Sequence, residues 1–441
     1  MFLKTIVLKL KKYIAFISSP KYYFGLERDL AFLQNEFGHL QKINNQLKQM
    51  HIKSKKNEKI VVVFLVQEVS LFSVFDSVIN KLLNNGKFKC HVIIAPQYFC
   101  KKWNEDSYSE LKKYFLKKGI ISIDGVVKIS SENEIEEVLD LQTLNPHYVF
   151  YTCPYMEDYH IFHRCAYVNN FAHVCYIPYG FLLAEQPETQ YHQEVHNLAY
   201  RVYCETDFHN KNYAARCDKE AKVITTGYTK FDLLDNIKVA NEIKNIKSNF
   251  NKIVIIAPHW SVGNLSSVTC YGTFDKYYEH IEKLLITFPN VYFVFKPHPS
   301  LKNALLRANV LQLKEYEKLL SGWSKRSNFC FYDGADYFEY FAISDALITD
   351  SVSFLAEYVL FDKPLLLLCR QDSSPYNKIG NLLVNSFYKA YCSEDIYDFM
   401  KNIILADHDH LYDKRNALIE MIRGSSQQAA DLIENDLLNV N

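Results

Sequence analysis

The stretch DALITDSVSFLAEYVLFDKPLLLLC, residues 345–369, leaves this chain few ways to fold. ALIT is a short apolar run suited to a buried strand, and it stops at Asp350. Ser351 and Ser353 follow at a helix start, and AEYVLF continues as helix. Asp362-Lys363-Pro364 then breaks the chain before a second apolar run, PLLLLC. Strand, polar turn, helix and strand in about 25 residues is the βαβ unit of a parallel sheet. The first turn of its helix offers free backbone N–H groups and two hydroxyls, a setting that favours a phosphate.

The same alternation runs along most of the chain. IVVVFLV (Ile60–Val66), CHVIIAP, YVFYT, HVCYIP, RVYCE and KVITTG read as strands separated by helical segments. After the polar helical stretch 232–252, IVIIAP, VYFVF, NFCFYD and ALIT repeat the pattern, and a helical tail begins at Ser393. SSENEIEEVLDL (130–141) opens with serines and acids and is expected to start a helix. Two successive α/β units of about 180 residues each predict two Rossmann-like parallel-sheet domains facing a cleft. They are expected over 56–235 and 236–441, with a helical extension over 1–55.

Within that extension, Phe2, Leu3, Ile6, Val7, Leu10, Tyr13, Ile14 and Ile17 recur at helical spacing, with lysines mainly on the other side. A basic amphipathic helix of this kind suits a membrane surface or the protein's own core. Leu26, Leu33, Leu40 and Leu47 recur every seven residues, with Leu30, Phe37 and Asn44 between them. This predicts either a short coiled coil, giving homo-oligomers through residues 26–50, or one helix packed within the chain. No run of 18 apolar residues is present, and lysines break any signal-peptide pattern. Eleven cysteines without a CxxC fit a reducing compartment. The expected location is cytoplasmic, peripheral on the inner face of the membrane. A formal net charge of zero gives nucleic acid no support as a partner.

Ligands of open parallel sheets bind outside the carboxyl ends of the strands. In the second unit those ends carry APHW, KPHP and TDSVS, which line up His259, Lys296, His298, Thr349, Asp350, Ser351 and Ser353 along one rim. Cationic and hydrogen-bonding groups beside a helix N-terminus suit a diphosphate. Glu357, six residues past Ser351, is placed either to accept ribose hydroxyls or on a solvated helix face.

APHW, KPHP and the 345–369 block resemble the CDP-glycerol glycerophosphotransferases, the polymerases and primases of teichoic-acid-like polymers. GYTKFDLL (Gly227–Leu234) is similar to that family's G-x-P-R-x-D-x-L signature, with Thr229 and Lys230 at its Pro and Arg positions. The resemblance runs from about Tyr176 to Tyr391. It implies a GT-B fold, transfer of glycerol phosphate from CDP-glycerol to a lipid-linked or glycan hydroxyl, CMP as leaving group, and no obligatory metal or cofactor. It assigns His298 to the donor phosphate and catalysis, Ser351 and Ser353 to the diphosphate, and Glu357 to ribose. The sequence departs from the family where Pro178-Tyr179-Gly180 replaces an acceptor-side His-Gly, so that Tyr179 stands at the base position. It departs again at DSVS, usually DYSS, and at His259, more often Thr.

The reaction implied is attack of an acceptor hydroxyl on the distal phosphorus, achieved mostly by positioning and charge neutralisation. Lys296, His298 and the helix at Ser351 would stabilise the departing CMP, with His259 or Tyr179 handling the acceptor proton. A CDP-ribitol or nucleotide-sugar transferase on the same fold, and a non-catalytic nucleotide-binding scaffold, are the alternatives. No P-loop or GxGxxG is present, which speaks against ATP or NAD.

Overall fold

The computed structural model describes residues 59–97, 103–217, 222–263, 269–424 and 427–439. The amphipathic helix and heptad run expected within residues 1–55 lie outside the described residues. From Ile60 the chain lays down β1 (Ile60–Val66), helix α1 (Val69–Asn84), β2 (Phe88–Ile94), helix α2 (Glu105–Lys118) and β3 (Ser122–Asp124). A hairpin of β4 (Val126–Ile129) and β5 (Ile135–Val138) leads to β6 (Tyr148–Tyr151), β7 (His173–Tyr176), β8 (Arg201–Cys204) and β9 (Lys222–Thr225). Seven of these strands form one parallel sheet in the order β3-β2-β1-β6-β7-β8-β9.

The second sheet is also parallel, in the order β12-β11-β10-β13-β14-β15. Its elements are β10 (Lys252–Ala257), helix α3 (Phe274–Thr287), β11 (Val291–Phe295), β12 (Phe329–Phe331) and helix α4 (Phe338–Ile343). The opening stretch then supplies β13 (Ala346–Thr349), helix α5 (Val352–Val359) and β14 (Leu365–Leu368), before β15 (Tyr388–Ala390) closes the edge.

The reason for this architecture is burial on both sheet faces. Every residue from Val62 to Val66 is fully buried, as are Ala346, Leu347 and Leu365. Each such large side chain contributes roughly 1.5–3 kcal/mol relative to exposure. Helix α2 ends where Gly119 takes φ 69°, its N–H returning to the carbonyls of Leu116 and Phe115. In both sheets the chain works outward from one strand and then returns to that strand's other side. The switch points are therefore β1/β6 and β10/β13, and the second brings the end of ALIT beside the end of IVIIAP, with Ala257 opposite Thr349.

Two expectations give way. The segment 130–141 does not open a helix: Ser130 Oγ accepts the Glu132 and Glu134 N–H groups at 3.2 and 3.0 Å. Asn133 takes φ 65°, and the turn folds Ile135 and Val138 back on β4. The serine that resembled a helix cap closes a hairpin instead. The helical tail also does not stay with the second sheet. Its last helix, α6 (Ala429–Leu438), packs against α1, with Asp436 receiving Arg201 Nε at 2.7 Å and the Tyr203 hydroxyl at 3.0 Å. The sheets are further joined where Ala184 bridges Tyr376, and where Asn377 donates from its backbone N–H to Leu183 O and from Nδ2 to Leu182 O, both at 2.8 Å. Among the described residues no helix is long and apolar enough to cross a membrane.

Candidate functional site

The β10/β13 switch point carries the polar residues that follow those strands. His259 lies just past β10, and its Nδ1 receives both the Ser261 hydroxyl at 2.8 Å and the Ser261 N–H at 3.2 Å. The Ser261 oxygen accepts the N–H groups of Tyr271 and Gly272 at 2.9 and 3.0 Å, so its own proton is directed at the imidazole. Neutral His259 therefore carries its proton on Nε2. Burial, with His298 adding to it, pushes its pKa down to about 3. Gly272 is required here, because a Cβ would lie 2.9 Å from the Ser261 backbone.

His298, just past β11, is set by its N–H to Pro258 O at 3.0 Å, and its Nδ1 accepts the Ser300 N–H at 3.1 Å. It too is neutral with Nε2–H, held at about 4 by burial and by Lys296. The two imidazoles stand 5.5 Å apart between centroids.

Asp350 braces the turns around it. Its carboxylate receives the His259 N–H, the Thr273 N–H and, at 2.7 Å, the Thr273 hydroxyl. It ties the end of β13 to the turn after β10 and to the start of α3, and burial lifts its pKa to about 6. Thr349 is likewise structural, donating to Ala257 O at 2.6 Å and accepting the Ser351 N–H at 2.9 Å. These two residues, expected to bind donor, shape the turn between β13 and α5. Ser351 and Ser353 open α5, and among the described residues neither hydroxyl has a hydrogen-bond partner.

Glu357 is not on a solvated face. It is 1% exposed, and its oxygens receive Lys230 Nζ at 3.0 Å and the Tyr337 hydroxyl. Lys230 lies in the 3-10 stretch Thr229–Asn236 that follows the first sheet, so this buried pair links the two units. Sequence reasoning left Lys230 out of the site. Its position in GYTKFDLL was the signal that pointed to it. Lys296 is buried beside this group, its ammonium 4.9 Å from the Tyr337 ring centroid. Burial and Lys230 lower its pKa to about 8. Lys230 also lines a cavity of about 540 Å³ between α1, Asp336 and Gln428.

Tyr179 follows β7 on the first unit, where Tyr228 donates to its carbonyl at 3.1 Å. Tyr179 is 39% exposed. Of the two proton-handling candidates, His259 presents Nε2–H as a donor at rest.

The profile of the CDP-Glycerol:Poly(glycerophosphate) glycerophosphotransferase family matches residues 182–420, more than half of the chain's 441. No curated protein matches the chain by sequence. Among solved structures, a Listeria monocytogenes protein assigned as a UDP-N-acetylglucosamine 2-epimerase superposes with a TM-score of 0.58 at 15% identity, over 86% of this chain and 96% of its own. The Neisseria meningitidis UDP-GlcNAc 2-epimerase bound to UDP-GlcNAc gives 0.55 at 17% identity, over 86% and 99%. The wall teichoic acid polymerase TagF, in a variant soaked with CDPG, gives 0.51 at 14% identity, over 94% and 98%. These likenesses establish the fold as GT-B-like, two parallel-sheet domains as expected from the strand pattern. By the profile match, which spans β10, β11 and the β13–α5–β14 unit, the chain belongs to the CDP-glycerol glycerophosphotransferase family.

Proposed function

We propose that this chain transfers glycerol phosphate from CDP-glycerol to a hydroxyl of a lipid-linked or glycan acceptor, releasing CMP, in the synthesis of a teichoic-acid-like surface polymer. One observation carries the reading. Two neutral Nε2–H imidazoles, a buried ammonium and the free hydroxyls of Ser351 and Ser353 gather at one switch point in a chain of this family. The acceptor hydroxyl oxygen attacks the distal phosphorus, and its proton is released to the departing CMP phosphate or to solvent. The bond to the bridging oxygen breaks, and its electron pair leaves with CMP. His298 and His259 donate Nε2–H to the phosphoryl oxygens, Lys296 offsets their charge, and the α5 N-terminus receives the diphosphate. Tyr179 orients the acceptor hydroxyl from the first unit by hydrogen bonding. Glu357 receives the ribose hydroxyls while remaining paired with Lys230. Residues 1–18 hold the enzyme to the inner membrane face, where a lipid-linked acceptor resides.

The decisive assay is release of CMP from CDP-glycerol, with and without membranes, followed by mass spectrometry of the product for a new phosphodiester. His298→Ala is expected to lower transfer by about a hundredfold or more. Full transfer by that variant, with CDP-glycerol bound normally, would remove the assignment. Tyr179 in place of a family histidine favours a second reading, a non-catalytic nucleotide-binding protein. Binding of CDP without any CMP release under all acceptor conditions would establish it.

A further inference from the structure

Lys296 is a desolvated cation with no counter-ion. It is 5% exposed, and among the described residues no carboxylate or hydrogen-bond acceptor contacts its ammonium. Only the ring faces of Tyr332, Tyr337 and Phe354 lie over it, at 5.7, 4.9 and 6.0 Å from their centroids. Two carboxylates act on it through space, the exposed Asp333 and the buried Glu357. A buried cation ordinarily recruits such an acid, because an unpaired charge in a protein interior is costly. Glu357 does not turn to Lys296. It is held by Lys230 at 3.0 Å, and the Tyr337 hydroxyl, which also receives Lys230 Nζ, caps its other oxygen.

We propose that Lys230 is a positioning residue that sequesters Glu357: by holding that carboxylate in a buried pair, it keeps Lys296 without a counter-ion and so open to a phosphate of a nucleoside diphosphate. This rests on the reading of the rim as the donor site. The cluster holds two lysines against one buried glutamate, leaving one positive charge for an arriving anion to offset. Lys230 therefore sets anion affinity without touching the anion. No bond is made or broken; the effect is electrostatic. The geometry also accounts for Tyr337, whose ring lies 4.4 Å from the Lys230 ammonium and 4.9 Å from that of Lys296, between the paired cation and the unpaired one.

The test is calorimetric titration of the full chain with CDP. Lys230→Met is expected to weaken binding by about tenfold, because the released Glu357 turns to Lys296 and offsets its charge. In a Glu357→Gln background the same change should alter affinity by less than about threefold, since no carboxylate remains to be sequestered. Lys230→Arg restores the pairing charge and the affinity. If Lys230→Met does not fold, Lys230→Leu, which likewise releases Glu357, carries the same comparison. Unchanged affinity in the neutral variants would overturn the proposal, as would an equal loss in both backgrounds, which marks a structural or direct role. Lys296→Met separates the two levels: if it leaves CDP affinity unchanged, the donor reading itself fails and this proposal falls with it.

Discussion

His163, His196 and His259 sit in the folded protein as neutral imidazoles, at most 8% exposed, and burial holds their pKa values at about 4, 3 and 3. In the unfolded chain each returns to about 6.5. Their contribution to stability is therefore complete above pH 6.5 and is lost as the pH falls toward 4, because the unfolded state binds the extra protons. At pH 5 each costs about 2 kcal/mol of stability relative to neutral pH. Asp350 works in the opposite sense: its pKa is raised to about 6, so the native state keeps a proton that the unfolded chain releases. Asp158, Glu205 and Asp232 are raised by burial in the same sense as Asp350, and His298 is lowered to about 4 like the other three histidines, whose shifts are the larger ones. Urea unfolding at pH 7.5 and at pH 5 should show a clear fall in stability at the lower pH, and an unchanged midpoint would contradict the assignment. At this scale the sequence was only partly readable. The strand-end histidines stood out, whereas the pairing of Glu357 with Lys230 spans 127 residues and has no local signature.

Helix α5 is eight residues long, and Ser351 at its N-cap uses no side-chain cap. No acidic residue occupies its first turn. Ordinary helices recruit an acid or a capping oxygen there, so this end is left open to an outside anion. Ser353→Asp should accordingly preserve stability within about 0.5 kcal/mol, or raise it slightly through the helix dipole. The same change should lower CDP affinity by about tenfold or more by setting a carboxylate against the diphosphate. Loss of folding together with binding would show that the helix end serves structure instead. The βαβ unit containing α5 was legible because ALIT and LLLL are each buried throughout, and such runs have no other use in a chain of this composition. The β4–β5 hairpin was not legible. Its serine and acids serve a turn as well as they serve a helix start, and only the fold around Ile135 and Val138 decides between the two.

At the scale of the molecule, the two sheets are sewn together by polar contacts from distant parts of the chain. The Arg201–Asp436 pair is mostly buried, with side chains 10% and 16% exposed. Asp436→Ala would leave a desolvated guanidinium beside β8 and should cost about 3 kcal/mol, read as a lower urea midpoint. Asp436→Asn, which still accepts a hydrogen bond, should cost less, and equal losses in the two variants would argue against a charge-based role. The existence of two α/β units could be read from alternating apolar runs. The return of α6 to the first unit could not, because its apolar face states only that it packs on something.

That return has a consequence for how the protein is made. Asn85, just past α1, meets Glu434 of α6 across 349 residues. A ribosome working at roughly 5–20 residues per second delivers the second partner tens of seconds or more after the first. Through that interval the outer surface of α1 waits without its cover, although the strands behind it are already synthesised. That cover is complete only when residues 429–438 emerge. Interrupted synthesis should yield aggregation-prone chains, not a free-standing half.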